Sequence, residues 1–167
     1  MNSIEIGAKH DGGKPPMHLI AWDAIVHPEV DDEDLFGTVQ RTLSEWWRGG
    51  SQAHLSAAFW LVLTLAGDGS PWLGLIEVAR VLDFGARKYA PRNWEKGLPH
   101  SRTFAAAQRH LCARAGGQPQ DEETGLDHYA HAACELMFAL AFEVRGRTDL
   151  DDRPRLEPHA PAPSGGK

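Results

Sequence analysis

Glycine and proline residues divide this chain into segments of helix length. Within each segment, apolar residues recur at three- and four-residue steps, which is the spacing of an amphipathic α-helix. No segment shows the alternation of apolar and polar residues that is typical of a strand. The sequence therefore predicts an all-α fold, a bundle of about five helices. The breaks fall at Gly49-Gly50, GDGSP (67–71), APRNWEKGLP (90–99), Gly116-Gly117 and Gly146.

These breaks and the capping residues beside them set the expected helix bounds. Ser70 and Pro71 suit the start of the third helix, and Ser101 is expected to cap the fourth. We expect residues 1–146 to form a single domain, and the residues 147–167, rich in proline, glycine and charge, to form a disordered tail. The predicted helices run from about Asp31 to Gly49-Gly50, from Gln52 to Ala66, from about Trp72 to Tyr89, from Ser101 to Gly116-Gly117 and from about Leu126 to Arg145.

Composition and charge exclude several classes of protein. The length of 167 residues suits one domain, and the net charge of −6 argues against general binding of nucleic acid or of membrane surfaces. The first residues lack the apolar stretch of a signal peptide, and the most apolar run, Ala57–Ala66, is too short to span a bilayer. The cysteines show no CxxC pattern and suit a reducing compartment. We therefore expect a soluble, cytoplasmic protein.

The segment Gln52–Ala66 is apolar nearly all round. A helix of this kind must be covered on every side, either by the other helices of the chain or by a second subunit. We expect the same helix of another subunit to supply part of the cover, related by a two-fold axis. The sequence thus predicts a homo-oligomer, a dimer or a tetramer.

The stretch GLDHYAHAACE (125–135) carries a cluster of potential metal ligands. On a helical wheel, Asp127, His128, His131 and Glu135 fall within about 100° of one another, opposite an apolar face. Histidines and carboxylates stacked in this way can share a metal ion, although a solvated polar face would look the same. Because Phe138 continues the polar side, we expect a polar pocket between helices.

The third predicted helix offers a further carboxylate. Glu77, Arg80, Phe84 and Lys88 form a stripe beside its apolar face, and Glu77 precedes an otherwise apolar run. Glu77 is therefore a candidate inward-facing ligand, with a surface position as the alternative.

Basic and aromatic residues suited to a nucleotide follow in the sequence. Lys88, Arg92 and Lys96 bracket YAPRNW, and Arg102 and Arg109 lie seven residues apart on one helix face, with His110 beside them. Such side chains bind phosphate oxygens, Trp94 or Tyr89 could stack on a base, and Asn93 could read its edge. Together with the carboxylates and histidines, they suggest metal-assisted cleavage of a nucleotide. The chain has no P-loop motif.

Two long stretches resemble a known family. They are EVARVLDFGARKYAPRNWEKGLPHS and AAAQRHLCARAGGQPQDEETGLDHYAHAACELMF, and the opening DGGKPPMHLI is similar to the same family. The family is that of the phage-associated dATP/dGTP diphosphohydrolases, distant relatives of the MazG-like all-α nucleotide pyrophosphatases. The resemblance covers about residues 8–20 and 73–142.

This resemblance implies an activity and a set of functional residues. The activity is hydrolysis of dGTP or dATP to the monophosphate and pyrophosphate with Mg²⁺ or Mn²⁺, usually by a homo-oligomer. In some phages it supplies dGMP for 2-aminoadenine nucleotides, and the compartment would be the host cytoplasm. The matching residues are Asp11, Gly12 and Lys14; Glu77; Lys88, Asn93, Trp94, Arg109 and His110; Asp121, Glu123, His128 and His131.

The chain departs from the MazG-like pattern in two places. Where that pattern pairs ExxE with ExxD, this sequence has Glu77-x-x-Arg80 and His128-x-x-His131, so the metal ligands stay open. Residues 21–72 look like an inserted helical pair. The candidate metal ligands are Glu77, Asp121, Glu123, Asp127, His128, His131 and Glu135. The candidate catalytic residues are Glu77, Lys88, Arg109 and His131, and the candidate nucleotide-binding residues are Lys14, Lys88, Arg92, Asn93, Trp94, Arg109 and His110.

Two other functions remain open at this point. Asp127-His128 is the dipeptide of HD-type triphosphohydrolases, which would release a nucleoside and tripolyphosphate. A protein that binds nucleotides or metal without turnover is the alternative from a different class.

Overall fold

The computed structural model describes residues 35–154 as a bundle of five α-helices. They are α1 (Leu35–Trp47), α2 (Gln52–Ala66), α3 (Pro71–Lys88), α4 (His100–Ala115) and α5 (His128–Val144). Short 3₁₀ turns lie at Asn93–Lys96 and Thr148–Leu150. Residues 35–154 include no strand, and the only ladder contact among them is an isolated bridge between Gln120 and Asp127. The prediction of an all-α bundle is confirmed.

The helix starts depend on local hydrogen bonds. The Ser70 side chain accepts a hydrogen bond from the backbone N–H of Leu73, with Pro71 in the first turn, as predicted. The predicted cap at Ser101 is wrong, because α4 begins at His100. The Ser101 backbone N–H donates instead to Oδ1 of Asp152 at 2.7 Å.

The apolar sides of α2 are covered within one chain. Helix α2 packs against α1, α3 and α5, and α5 also packs against α4. As a result, Phe59, Trp60 and Leu63 are at most 3% exposed. The described helices thus cover α2 without a second subunit, so the argument for an oligomer from the apolar sides of α2 is wrong, and the oligomeric state stays a prediction. The structure also does not set α1 and α2 apart as an insertion, because both join the common core.

Helices α2 and α3 meet at a close contact. A Cβ atom at Gly74 would lie 2.1 Å from the backbone oxygen of Leu63, so only glycine allows this approach.

Between residues 35 and 154, no single helix is long and apolar enough to cross a membrane; α2 and α3 qualify only as a pair bent by 89°.

The packed region extends beyond residue 146, where the sequence predicted a disordered tail. Arg153 donates from Nη1 to the backbone oxygens of Trp46 at 2.9 Å and Gly50 at 3.2 Å, and its guanidinium lies 4.8 Å from the ring centre of Trp46. It also forms ion pairs with Asp151 and with Glu143. Hydrogen bonds and an ion pair of Arg153 thus hold residues 147–154 against α1 and α5. The remainder of the predicted tail, 155–167, lies outside the described residues, as do residues 1–34.

We expect Arg153→Ala to lower the free energy of unfolding by about 2–4 kcal/mol. The substitution leaves two carbonyl groups and the Glu143 side chain, only 12% exposed, without a cationic partner. Urea unfolding measures the loss. Arg87→Ala is the matched control, because Arg87 is 69% exposed in its pair with Asp83 and its loss should cost below about 1 kcal/mol. Equal losses of unfolding free energy in the two variants would contradict the conclusion that Arg153 holds residues 147–154 against the bundle.

Candidate functional site

A cavity of about 560 Å³ lies between α3, α4 and α5 and the connections that follow α3 and precede α5. This volume is typical of small-molecule sites. Most of the predicted site residues line it, although they come from segments far apart in the sequence. They are Lys88, Arg92, Asn93, Trp94, Arg109, His110, Asp121, Glu123, His131 and Glu135.

Three of the predicted residues within 35–154 do not line this cavity. Lys14 lies outside the described residues. The Glu77 carboxylate accepts a hydrogen bond from Arg80 at 2.6 Å, one turn before Val81, where the lining of α3 begins. Its role as a ligand stays a prediction. The other two residues are Asp127 and His128.

Asp127 acts as the N-cap of α5. Its Oδ1 accepts a hydrogen bond from the backbone N–H of Tyr129 at 2.7 Å, and its Oδ2 lies 3.6 Å from Nε of Arg114. The helix therefore begins at His128, two residues after the predicted start. Because the cap and Arg114 hold this carboxylate, its position does not support the expected role as a metal ligand.

Arg102 and Arg109 supply positive charge to one wall of the cavity. Both lie on α4 and line the cavity. Neither guanidinium forms an ion pair with the carboxylates of residues 35–154 within 4 Å, although both act electrostatically on Glu135. Two cations without close carboxylate partners are suited to phosphate oxygens.

Lys88 ties the end of α3 to the loop before α5. Its ammonium donates a hydrogen bond to Glu123 and lies 5.8 Å from the ring centre of Phe84 and 5.5 Å from that of Tyr89. The hydrogen bond to Glu123 raises the pKa of Lys88, so this side chain stays charged. An anionic ligand near Lys88 would compete with Glu123.

Trp94 forms part of the cavity wall and is only 8% exposed. Its ring stacks on Phe138 with a centroid distance of 4.6 Å, and Arg145 lies 5.4 Å from its centre. Because these neighbours occupy the indole, the position does not favour the expected stacking on a base. Tyr89, 66% exposed at the cavity edge, has the more accessible ring.

Arg92 pairs with a neighbouring carboxylate. Its Nε donates to Oε2 of Glu95 at 2.7 Å, and the residue has a left-handed backbone with φ of 58°. The next residue, Asn93, lines the cavity at the start of the 3₁₀ turn. Arg92 thus lines the cavity with its guanidinium bound to Glu95, whereas Arg102 and Arg109 have no such carboxylate partner among residues 35–154.

The loop before α5 is organised around the Asp121 carboxylate. Its Oδ1 accepts hydrogen bonds from the backbone N–H groups of Glu123 at 3.1 Å and Thr124 at 3.0 Å, and from Oγ1 of Thr124 at 3.1 Å. Oγ1 of Thr124 also lies 2.7 Å from Nε2 of His131. The turn therefore fixes Asp121 against α5.

Three imidazole rings meet beside this loop. Nδ1 of His110 lies 2.9 Å from Nδ1 of His128, and the His110 ring stacks on His131 with a centroid distance of 4.7 Å. His110, Asp121 and His128 each offer one ligand atom within 4.8 Å of the other two. This set of two imidazoles and one carboxylate fits a divalent metal ion.

The protonation states suit a metal or proton-transfer site. Burial, together with the charges of the neighbouring His131 and His128, lowers the pKa of His110 to about 4. Burial also lowers the pKa of His131, against the opposing charge of Asp121. Although desolvation opposes it, hydrogen bonds from Thr124 lower the pKa of Asp121. At neutral pH the rings of His110 and His131 are thus mainly neutral and Asp121 is ionised, as metal ligation requires.

The roles of Arg102, Thr124 and His110 in this site were not predicted from the sequence. Arg102 had a visible signal in its seven-residue spacing from Arg109, but it was not assigned. Thr124 had a weaker one, since an aspartate three residues before a threonine is typical of a turn closed by side-chain hydrogen bonds. His110 was assigned to the nucleotide, and no sequence signal showed that it meets His128.

Glu135 is a carboxyl group with a strongly displaced pKa. Burial raises this pKa to about 7, although the charges of Arg109 and Arg102 oppose the rise. The folded pKa is above that of an unfolded glutamate, about 4.3, so the folded state retains the proton longer. The stabilising effect of this proton is complete below about pH 4.3 and is lost as the pH rises to about 7.

We therefore expect Glu135→Gln to stabilise the protein at high pH. In the presence of a chelator, its effect on the free energy of unfolding should be more favourable at pH 8 than at pH 5 by on the order of 1–3 kcal/mol. Urea unfolding at both pH values measures this, with Glu122→Gln, on the exposed part of the nearby loop, as the control. An effect of Glu135→Gln that is equal at both pH values would contradict the burial of an ionisable group.

The fold and the cavity define a class of protein. It is a helical-bundle protein whose cavity is lined by two cations suited to phosphate, by the mainly neutral imidazoles of His110 and His131, and by carboxylates. A family model described as "dATP/dGTP diphosphohydrolase, N-terminal" matches residues 57–153, more than half of the chain. The chain belongs to this family. The match includes most of α2 and every element that lines the cavity, and it begins inside the segment 21–72 that resembled an insertion.

A phage protein is similar to part of this chain. The dATP/dGTP diphosphohydrolase of Salmonella phage PMBT28 is 44% identical over 77 residues. The aligned region is 46% of this chain and 26% of the relative, so the chain spans about a quarter of that protein's length. The resemblance found in the sequence is confirmed at the level of the family. No solved structure matches the chain.

Proposed function

We propose that this protein hydrolyses a deoxypurine nucleoside triphosphate, dGTP or dATP, to the monophosphate and pyrophosphate. The observation that carries the proposal is the cavity of about 560 Å³, which Arg102 and Arg109 line together with His110, Asp121 and His131. The family description names dATP and dGTP as substrates, and the matched residues include this whole cavity.

The cationic wall would hold the triphosphate. Arg102 and Arg109 lie two turns apart on α4 and both line the cavity, so their guanidinium groups can bind phosphate oxygens of one ligand. Lys88 would join them by exchanging Glu123 for a phosphate oxygen. The charge that develops on the phosphates during cleavage is then stabilised by groups already in place.

We propose that the reaction requires Mg²⁺ or Mn²⁺, held by His110, Asp121 and His128 with water and substrate. Such an ion polarises phosphoryl oxygens and lowers the pKa of a bound water. The chain itself contributes Glu135, whose pKa of about 7 lets its carboxylate accept a proton near neutral pH. Asn93 and Tyr89 also line the cavity and would contact the base.

The test is one incubation of the protein with a panel of nucleotides and Mg²⁺ or Mn²⁺, read by chromatography. Monophosphate plus pyrophosphate from dGTP or dATP is the expected result. Nucleoside plus tripolyphosphate would instead indicate the HD-type reaction, which the capping role of Asp127 does not favour. Binding without turnover of any nucleotide would indicate a non-catalytic protein.

In a phage-infected cell, this activity would take place in the host cytoplasm. The monophosphate formed from dGTP would then supply dGMP for 2-aminoadenine nucleotides. This part of the proposal rests on the family resemblance, and release of dGMP by the purified protein is its first requirement.

We also propose that the protein forms a homo-oligomer, a dimer or a tetramer. Trp72 and Leu73, neighbours at the start of α3, are 61% and 55% exposed, and adjacent exposed apolar residues are typical of interfaces. Light scattering at micromolar concentration should give a mass at least twice that of the 18.4 kDa chain. A monomer mass would contradict this proposal and leave the proposed reaction unaffected.

A further inference from the structure

We propose that His110, Asp121 and His128 form a metal site that selects Mn²⁺ and similar transition metals over Mg²⁺. This inference rests on the proposed function, because it specifies the ion that the reaction would use. The three residues come from α4, from the loop before α5 and from the first position of α5. The family match names no ligand, and the sequence assigned His110 to the nucleotide.

The two imidazoles are arranged as neighbouring ligands of one ion. Nδ1 of His110 and Nδ1 of His128 lie 2.9 Å apart. With metal–imidazole bonds of about 2.0–2.1 Å, ligands at right angles are about 2.9 Å apart and tetrahedral ligands about 3.3 Å. Without an ion, one of the two nitrogens must donate a hydrogen bond to the other. With an ion, both lone pairs can point to the same centre.

Asp121 is oriented to supply the third ligand atom. All three of its hydrogen bonds from Glu123 and Thr124 reach Oδ1, and none from residues 35–154 reaches Oδ2. Thr124 is held in turn by Nε2 of His131 at 2.7 Å. Outer groups that fix a ligand in this way are typical of metal sites, and they place His131 as a positioning residue.

The chemistry of this ligand set decides between the ions. Mg²⁺ prefers an octahedron of oxygen ligands and retains several waters. Imidazole nitrogens are ligands of Zn²⁺, Fe²⁺, Co²⁺ and Mn²⁺, and a site with two of them and one carboxylate is typical of such ions. Two of the three ligands offered here are nitrogen atoms. We therefore expect Mn²⁺ to bind without nucleotide where Mg²⁺ at the same concentration does not.

The experiment titrates the nucleotide-free protein with Mn²⁺ and records binding by calorimetry and by pulsed electron paramagnetic resonance. The expected spectrum of the wild-type protein shows coupling of Mn²⁺ to directly bound imidazole nitrogen. His110→Gln and Asp121→Asn should each raise the Kd for Mn²⁺ at least about tenfold. Glu122→Gln is the matched control, because this exposed carboxylate is in the same loop as Asp121 and should leave the Kd unchanged.

Several outcomes would overturn the inference. They are a wild-type spectrum without nitrogen coupling, an unchanged Kd in folded His110→Gln, or displacement of Mn²⁺ by an equal concentration of Mg²⁺. If His110→Gln does not fold, as circular dichroism would reveal, the wild-type spectrum decides alone.

Incubating the same samples with dGTP separates this inference from the proposed function. Nitrogen-coupled Mn²⁺ without turnover contradicts the function alone, and turnover without nitrogen coupling contradicts the metal site alone.

Discussion

Arg109→Ala should lower kcat/KM for dGTP by about 30- to 1000-fold, which corresponds to about 2–4 kcal/mol of transition-state stabilisation. Arg109 lines the cavity beside Arg102 and forms no close ion pair with a carboxylate among residues 35–154. Within the described residues its charge is therefore available to the phosphates. Steady-state kinetics with dGTP and Mn²⁺ measures the effect.

Two further variants make this expectation specific. Arg109→Lys should recover only part of the rate, because an ammonium cannot reproduce the two parallel hydrogen bonds of a guanidinium. Arg87→Ala removes a cation from the exposed side of α3, outside the cavity, and should leave the kinetics unchanged. If Arg109→Ala matches the wild-type protein, the basic residues of α4 are a surface feature and the phosphates bind elsewhere.

His131→Ala should reduce turnover by about 100- to 1000-fold while the helical circular dichroism signal stays intact. The His131 ring stacks on His110 and contacts the Thr124 hydroxyl that bonds Asp121, so its removal releases both neighbours. Loss of a group that positions a metal ligand typically lowers metal affinity or activity by about 10- to 100-fold. Here two such contacts, to His110 and to Thr124, are lost together. Turnover is measured as a function of metal concentration.

A milder variant separates this positioning role from direct ligation. Thr124→Val removes only the hydroxyl group between His131 and Asp121, and should raise the metal concentration needed for half-maximal turnover by about tenfold. Near-normal turnover of His131→Ala at limiting metal would show that His131 has no role in the site. An effect of His131→Ala with none of Thr124→Val would instead make His131 a direct ligand.

Local signals in the sequence were sufficient for the helices. The bounds of α2 were predicted as found, because glycines flank it on both sides and the segment between them is uninterrupted. The start of α5 was predicted two residues early, since a wheel cannot distinguish a capping aspartate from one inside the helix. Burial of α2 depends on three other helices, and periodicity within one segment carries no information on how those helices pack.

The site was predictable in its residue types but not in its pairings. Most of the assigned residues do line one cavity, because polar and basic residues on otherwise apolar helix faces are costly unless they serve a site. The meeting of His110 with His128 depends on how α4 crosses α5. The orientation of Asp121 depends on a turn of only a few residues. Trp94 was expected to stack on a base, and its stacking on Phe138 follows from tertiary packing alone.

Helices α1 and α2 contribute no side chain to the cavity lining, which comes from α3, α4, α5 and their connections. Under the proposed function, substrate preference and thermal stability therefore depend on largely separate sets of positions. Exchanges at the cavity edge, such as at Tyr89 or Asn93, can alter which nucleotide is accepted without disturbing the interior beneath α1. Conversely, α1 and α2 can accumulate substitutions under selection for growth temperature while the proposed catalysis is unchanged, so the two traits can evolve independently within the family.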